Sequence, residues 1–208
     1  MNNIFDRNWV RYDDWYHRNE FVYTSEIEAI KRVLPSKGEG LEIGVGTGRF
    51  ASPLGVKFGI DSSYNMIKVA RKRGVKVAVA RAEALPFKNE YFDYLLAVVT
   101  LSFVSDPERV LKEAGRVLKK EGYFVAGIID KNSFLGKFYL TKKSIFYSQA
   151  TLLGIEDVNN LLKSCGFSAP AYYQTIFDIP EKIRSPEKTE EGFGKGGFVV
   201  FASKKLSF

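Results

Sequence analysis

Gly44, Gly46 and Gly48 alternate directly after the short apolar run Leu41-Glu42-Ile43, and an acid, Asp61, ends the next such run, Val56 to Ile60. Glycine is needed where the backbone takes positive φ, or where a ligand must lie against the chain with no Cβ between. A strand that ends in such a turn is the opening of a nucleotide-binding βαβ unit. Asp61 stands at about the separation from the turn expected of a ribose-binding acid, and its two oxygens could accept both ribose hydroxyls. It could also cap the helix that follows through Ser62 and Ser63, and the two roles are compatible.

The turn departs from a dinucleotide fingerprint, whose third glycine would fall where Arg49 stands, so a nicotinamide enzyme is disfavoured. Glu42 inside the strand adds a carboxylate, which suits a cationic ligand better than a pyrophosphate. His17, the sole histidine, could act as a general base, although a lone histidine is more often a plain surface residue. Tyr12, Tyr16, Tyr23, Tyr139 and Tyr147 offer ring faces to a cationic or aromatic molecule, with core packing as the commoner role of each. A zinc-spaced Cys/His cluster, a phosphate loop followed by Lys-Ser/Thr and a serine nucleophile elbow are all missing, so no metal is expected.

These residues need elements to position them. Trp9, Tyr12, Trp15, Tyr16, Phe21 and Tyr23 form an aromatic leader, either core packing or a lid over a pocket. It runs into a helix with Ser25 as N-cap, Glu28 three residues on and a stripe of Ile27, Ile30, Val33 and Leu34. Pro53 restricts the helix after the glycine turn to a turn or two. Val75–Val79 alternates as a third strand, and Tyr91–Val99 reads as a central strand covered on both faces. Thr100 and Leu101 then fall at the carboxyl edge, where ligands of open α/β sheets bind. Asp106-Pro107 opens a helix, and Gly122–Asp130 is the next strand. A variable, aromatic segment leads to a helix over Ile155–Cys165, an antiparallel pair over Ala171–Phe177 and Phe198–Ser203, and a mobile hairpin loop over Pro180–Gly197.

The chain has 208 residues, 45% of them apolar, a net charge of +7 and one cysteine, Cys165. That suits one domain with a substantial core in a reducing cytoplasm, and no apolar run is long enough for a membrane span. The basic residues are spread (Lys68, Arg71, Lys72, Arg73, Lys119, Lys120, Lys204, Lys205), which favours a solvated surface over a nucleic-acid face.

Glu42 to Gly48 resembles motif I of the class I S-adenosylmethionine (SAM)-dependent methyltransferases. Leu85-Pro86-Phe87, the stretch Phe92–Phe124 and Arg116-Val117-Leu118-Lys119-Lys120-Glu121-Gly122 match the same family in order, over about residues 39 to 130. The leader and the late Gly192–Val200 stretch resemble small type 11 members. The resemblance implies a Rossmann-like three-layer α/β/α sandwich, with a mostly parallel seven-stranded sheet and an antiparallel last strand. It implies SAM as cofactor, held by Glu42, Gly44, Gly46, Gly48, Asp61, Ser62, Met66, Ala82, Glu83, Thr100 and Leu101. Arg81 departs from the family, which usually has an acid there for the adenine amine. The divisions expected are a lid over 1–35, a SAM-binding core over 39–130, a variable insert over 131–153 and closing elements over 154–208.

The activity implied is methyl transfer to a small-molecule oxygen, nitrogen or carbon acceptor by a monomer or homodimer. No Asn-Pro-Pro-Tyr type signature follows the fourth strand, where Val99-Thr100-Leu101-Ser102 stands. That lowers a nucleic-acid base or a protein as substrate. An RNA or tRNA methyltransferase and a SAM-binding protein without catalysis are the alternatives. In-line alignment does most of the work in such a transfer, and a base is needed only if the acceptor must lose a proton.

Overall fold

The apolar run after Tyr91 has no polar face to show to water, so it must lie between two layers. The computed structural model describes residues 4–142 and 144–206 and puts it there. Three leader helices come first: α1 (Ile4–Arg7), α2 (Trp9–Arg18) and α3 (Glu20–Val33). Then follow β1 (Gly40–Ile43), α4 (Ala51–Leu54), β2 (Phe58–Asp61), α5 (Tyr64–Lys72), β3 (Lys76–Val79) and β4 (Phe92–Val98). The second half holds α6 (Pro107–Val117), β5 (Leu118–Ile129), α7 (Phe134–Thr141), α8 (Ile155–Ser164), β6 (Ala171–Thr175), β7 (Glu190–Glu191) and β8 (Phe198–Lys204).

The strands form one sheet in the order β3-β2-β1-β4-β5-β8-β6-β7. β1 to β5 run parallel, and β8 is antiparallel to both of its neighbours. Alternation splits β5 cleanly: Val125 and Ile129 face one apolar cluster, Phe124, Ala126 and Ile128 the other. In β4 a register shift beside Asp93 lets Phe92 and Leu95 share one face. Ala29 and Ile30 of α3 and Ile67 and Ala70 of α5 cover the first face; Val110, Leu111 and Ala114 of α6 and Val158 and Leu162 of α8 cover the second. This is the three-layer sandwich expected.

Three differences have local causes. The sheet has eight strands, because Glu190–Glu191 pairs with β6 at its free edge. The third helix starts at Glu20 and not at Ser25. Ser25 is buried in its interior, where its hydroxyl donates to the Phe21 carbonyl at 2.6 Å and accepts from the Glu187 N–H at 2.8 Å. The segment 180–197 is thereby tied down, with the Lys195 and Gly196 N–H groups also donating to Gln174 Oε1. Asp106 caps α6 as expected, accepting from the Arg109 N–H at 2.9 Å, and α4 is one turn long.

The chain leaves β1 toward β2 and β3 on one side, then returns to β4 on the other. The carboxyl ends of β1 and β4 therefore part at a switch point, which is where an open α/β sheet forms its crevice.

Candidate functional site

The turn after β1 takes the left-handed conformation at Gly44, Gly46 and Gly48, with φ of +71°, +52° and +81°. At Gly44 a Cβ would stand 2.6 Å from the Thr100 side chain, whose hydroxyl donates to the Ile43 carbonyl at 2.9 Å. At Gly46 it would stand 3.1 Å from Tyr12 Oη. Thr100 thus supports the turn from just beyond the end of β4, and Tyr12 lies over it from the leader.

Above the turn is a cavity of about 650 Å³. Gly44, Gly46, Asp61 and Ser62 form one wall; Met66, Ala82, Glu83 and Thr100 contribute to the rest. The remaining expected residues stand elsewhere. Gly48 packs against Ala70 of α5. Leu101 is in the apolar cluster on the α6 face of the sheet. Glu42 is 1% exposed, and its Oε2 has no hydrogen-bond partner. Burial pushes its carboxyl well above the ordinary range, against the pull of a hydrogen bond from the Ala51 N–H.

Asp61 accepts from the Gly46 N–H at 2.9 Å through Oδ2 and from the Ser63 N–H at 2.8 Å through Oδ1. Burial raises its pKa, with these contacts opposing. The Ser62 N–H bonds the carboxylate as well, and a carboxylate with about four acceptor positions keeps room for a ligand hydroxyl. The cap of α5 is Ser63, which accepts from the Met66 N–H. The Glu83 carboxylate is already taken: Ser105 donates to it through Oγ at 2.9 Å and N–H at 3.2 Å, and Arg81 pairs with it at 3.3 Å. Arg116 fixes the loop below by donating to the Leu85 and Phe87 carbonyls.

The leader is bolted to this site by two carboxylates that sequence reading missed. Asp6 accepts from Ser63 Oγ at 2.7 Å and the Asn65 N–H at 2.9 Å, at the start of α5. Asp13 accepts from Thr47 Oγ1 at 2.6 Å, from Arg49 at 2.6 and 2.9 Å and from both terminal nitrogens of Arg73 at 2.8 Å. Burial alone would raise the Asp13 pKa, but the hydrogen bonds of Arg73, Arg49 and Thr47 hold it well below the usual range. His17, by contrast, points outward. Its side chain is 66% exposed and its Nε2 lies 2.6 Å from Arg49 Nη2, outside the cavity.

Residues 41–126 match the sequence model of the type 11 "Methyltransferase domain". A protein of Methanocaldococcus jannaschii is 48% identical over 98% of this chain and all of its own length. A solved SAM-dependent methyltransferase of Thermotoga maritima, described as a possible histamine N-methyltransferase, is 46% identical and covers 99% of this chain and 100% of its own, with a TM-score of 0.95. The chain belongs to the class I SAM-dependent methyltransferases. A demethylmenaquinone methyltransferase, also of Thermotoga maritima, is 36% identical over 54% of this chain and 53% of its own length.

The methyltransferase carries a second chamber of about 250 Å³ beside the first. The two share the walls Phe5, Tyr12, Tyr16, Val99, Phe103 and Tyr147. Tyr139 and Tyr147 stack there with centroids 4.2 Å apart, and Tyr16 Oη donates to Tyr12 Oη at 3.0 Å. Val99, at the junction, is held at φ +57°, a strained conformation for a β-branched residue of the kind found at functional sites. No group of His, Cys, Asp or Glu among the described residues has the geometry of a metal site. No helix among them is long and apolar enough to cross a membrane.

Proposed function

We propose that this methyltransferase moves the SAM methyl group onto a small molecule held in the aromatic chamber under α2. The cofactor, when bound, supplies an electrophilic sulfonium methyl. In this reading Gly44 and Gly46 leave room for its amino-acid portion, Asp61 accepts from its ribose hydroxyls, and Met66 and Ala82 flank its base. The described residues fit such a ligand: Gly44 and Gly46 present bare backbone to the cavity wall, and Asp61 retains acceptor capacity. Glu83 contributes through the loop it organises, since its carboxylate is bound to Ser105. Leu101, Gly48 and Glu42 act beneath the surface, as packing and turn support. The leader, residues 1–35, serves as the roof and works with the 39–130 core, the 131–153 insert and the 154–208 closing elements as one unit.

The observation that carries the proposal is that the two chambers adjoin, with Tyr12, Tyr16 and Val99 among the walls they share. An acceptor in the second chamber would meet the cofactor at that junction, roofed by aromatic rings and screened from water, which is what transfer by alignment requires. The enclosure supports a small acceptor over an RNA strand, which needs an open groove. A possible histamine N-methyltransferase among the near-full-length relatives is in keeping with that size of substrate.

The test is calorimetric titration with S-adenosylhomocysteine, SAM and NAD, on the wild type and on Asp61→Asn. The first two should bind and NAD should not, with Asp61→Asn about tenfold weaker or more, the scale of one charge-assisted hydrogen bond. A folded wild type that binds neither sulfur compound would end the proposal.

A further inference from the structure

Glu26 sits on α3 in line with Val22 and Ile30, on the stripe that the helix turns toward the core, and is only 7% exposed. Its carboxyl has no hydrogen-bond or ion-pair partner among the described residues; burial is the sole influence on it. Ionised carboxylates are not left unpaired in apolar surroundings without cost, and an apolar side chain would fill this place better for the fold alone. What Glu26 borders instead is the second chamber.

The chamber's other walls include Trp15, Tyr16, Phe50, Leu135, Tyr139 and Tyr147; beside the tyrosine hydroxyls, the further uncharged polar side chain lining it is Ser144, whose Oγ already accepts from the Phe146 and Tyr147 N–H groups. The cationic residues that border it, Arg11, Arg18 and Lys142, are exposed at its rim. Arg18 donates to the Asp14 carbonyl, and Lys142 pairs with Glu181 at 2.7 Å. Ring faces around one buried carboxyl are the chemistry that recognises a positively charged nitrogen.

We propose that this chamber takes the methyl acceptor as an amine and that Glu26 holds the amine nitrogen. The inference rests on the methyltransferase reading above and names its substrate class. An alkylammonium that enters would pair with the Glu26 carboxylate. A proton passed from nitrogen to a carboxyl oxygen leaves a neutral amine with its lone pair exposed and a neutral acid beside it, so charge balances. Glu26 is thus a substrate-binding residue, and its position on α3 sets specificity.

The experiment saturates the protein with S-adenosylhomocysteine and titrates 2-phenylethylamine, histamine, 2-phenylethanol and phenylacetate by calorimetry. At least one amine should bind, with the alcohol and the anion weaker by about tenfold or more. Glu26→Gln should bring amine and alcohol to similar affinity and leave S-adenosylhomocysteine binding unchanged, which also reports a folded variant. The proposal is overturned if neither amine binds, if phenylacetate or the alcohol binds as well as the amines, or if Glu26→Gln leaves amine affinity intact. Should S-adenosylhomocysteine itself fail to bind, the cofactor reading falls alone. The same titrations without it still judge the chamber, and the wild-type discrimination stands even if the variant misfolds.

Discussion

Asp13→Asn should detach the roof of the site. The substitution keeps the shape of the side chain but removes the charge that Arg49 and Arg73 share, and presents an amide N–H₂ to one guanidinium. Removing one partner from a buried ion pair costs about 3–5 kcal/mol. The side chains of Asp13, Arg49 and Arg73 keep 14%, 11% and 26% exposure, so water relieves part of that. A loss of ~2–4 kcal/mol is expected on that footing. Both tryptophans, Trp9 and Trp15, lie on α2 beside Asp13, so their fluorescence reports the leader alone. Acrylamide should quench them more readily in Asp13→Asn, and amide exchange over 9–18 should quicken while that of β4 and β5 holds. S-adenosylhomocysteine should also bind less tightly, because Tyr12 and Tyr16 leave the cavity wall with α2. Acid should mimic the substitution. The folded-state pKa of Asp13 is depressed, so its contribution is complete above the ordinary carboxylate range near 4 and is lost as pH falls toward the folded value. Quenching and exchange unchanged from wild type would refute the clamp.

Glu26→Gln should raise the melting temperature, and by more at pH 8 than at pH 5. Burial pushes the Glu26 pKa up to about 8, so the folded state binds a proton that the unfolded state releases. Stability then falls by up to about 1.4 kcal/mol per pH unit between the two pKa values; equal gains at both pH values would sink this account. Gly44→Ala should destabilise by several kcal/mol, about 1–2 from the left-handed backbone alone and the rest from the 2.6 Å approach to Thr100. Thermal melts of Gly44→Ala, Thr100→Ala and the double variant should reveal a favourable coupling, and strict additivity would mean the two residues do not support each other. His17→Ala should leave methyl transfer within about twofold and S-adenosylhomocysteine binding unchanged, since the ring is outside both chambers; a large fall in rate would restore it as a base.

What could be read from the chain was whatever depended on neighbours in sequence. The glycine turn, the acid ending β2, the double-sided β4 and the Asp106 cap are each written within a few residues, because backbone conformation and strand periodicity are local. The leader's attachment was not legible. Asp13 meets Thr47, Arg49 and Arg73 across 34 to 60 residues, and a lone Asp on a helix gives no sign of a distant guanidinium. Ser25 looked like an N-cap because Glu28 follows at the right spacing, yet Asn19 opens the helix and the buried hydroxyl serves Glu187 instead. Glu26 did leave a signal. Val22, Glu26, Ala29 and Ile30 fall on one helical face, and an acid in the middle of such a stripe contradicts its own pattern.

That contradiction bears on how the family can hold one cofactor and take different acceptors. The glycine turn and Asp61 lie at the ends of β1 and β2, fixed by the parallel ladder and by Thr100 just beyond β4. The second chamber is made of pieces from outside that ladder: α2, α3, α7 and the 144–147 stretch meet over the strained Val99. If the proposed acceptor chamber is right, changes in those pieces would alter ring positions and the Glu26 carboxyl without disturbing strand register, so acceptor choice would vary while the proposed cofactor cradle stayed the same. The same division makes Glu26 the informative residue. It touches no part of the cradle, so a loss of amine binding in Glu26→Gln with S-adenosylhomocysteine binding intact would show that the leader reads the acceptor as well as covering it.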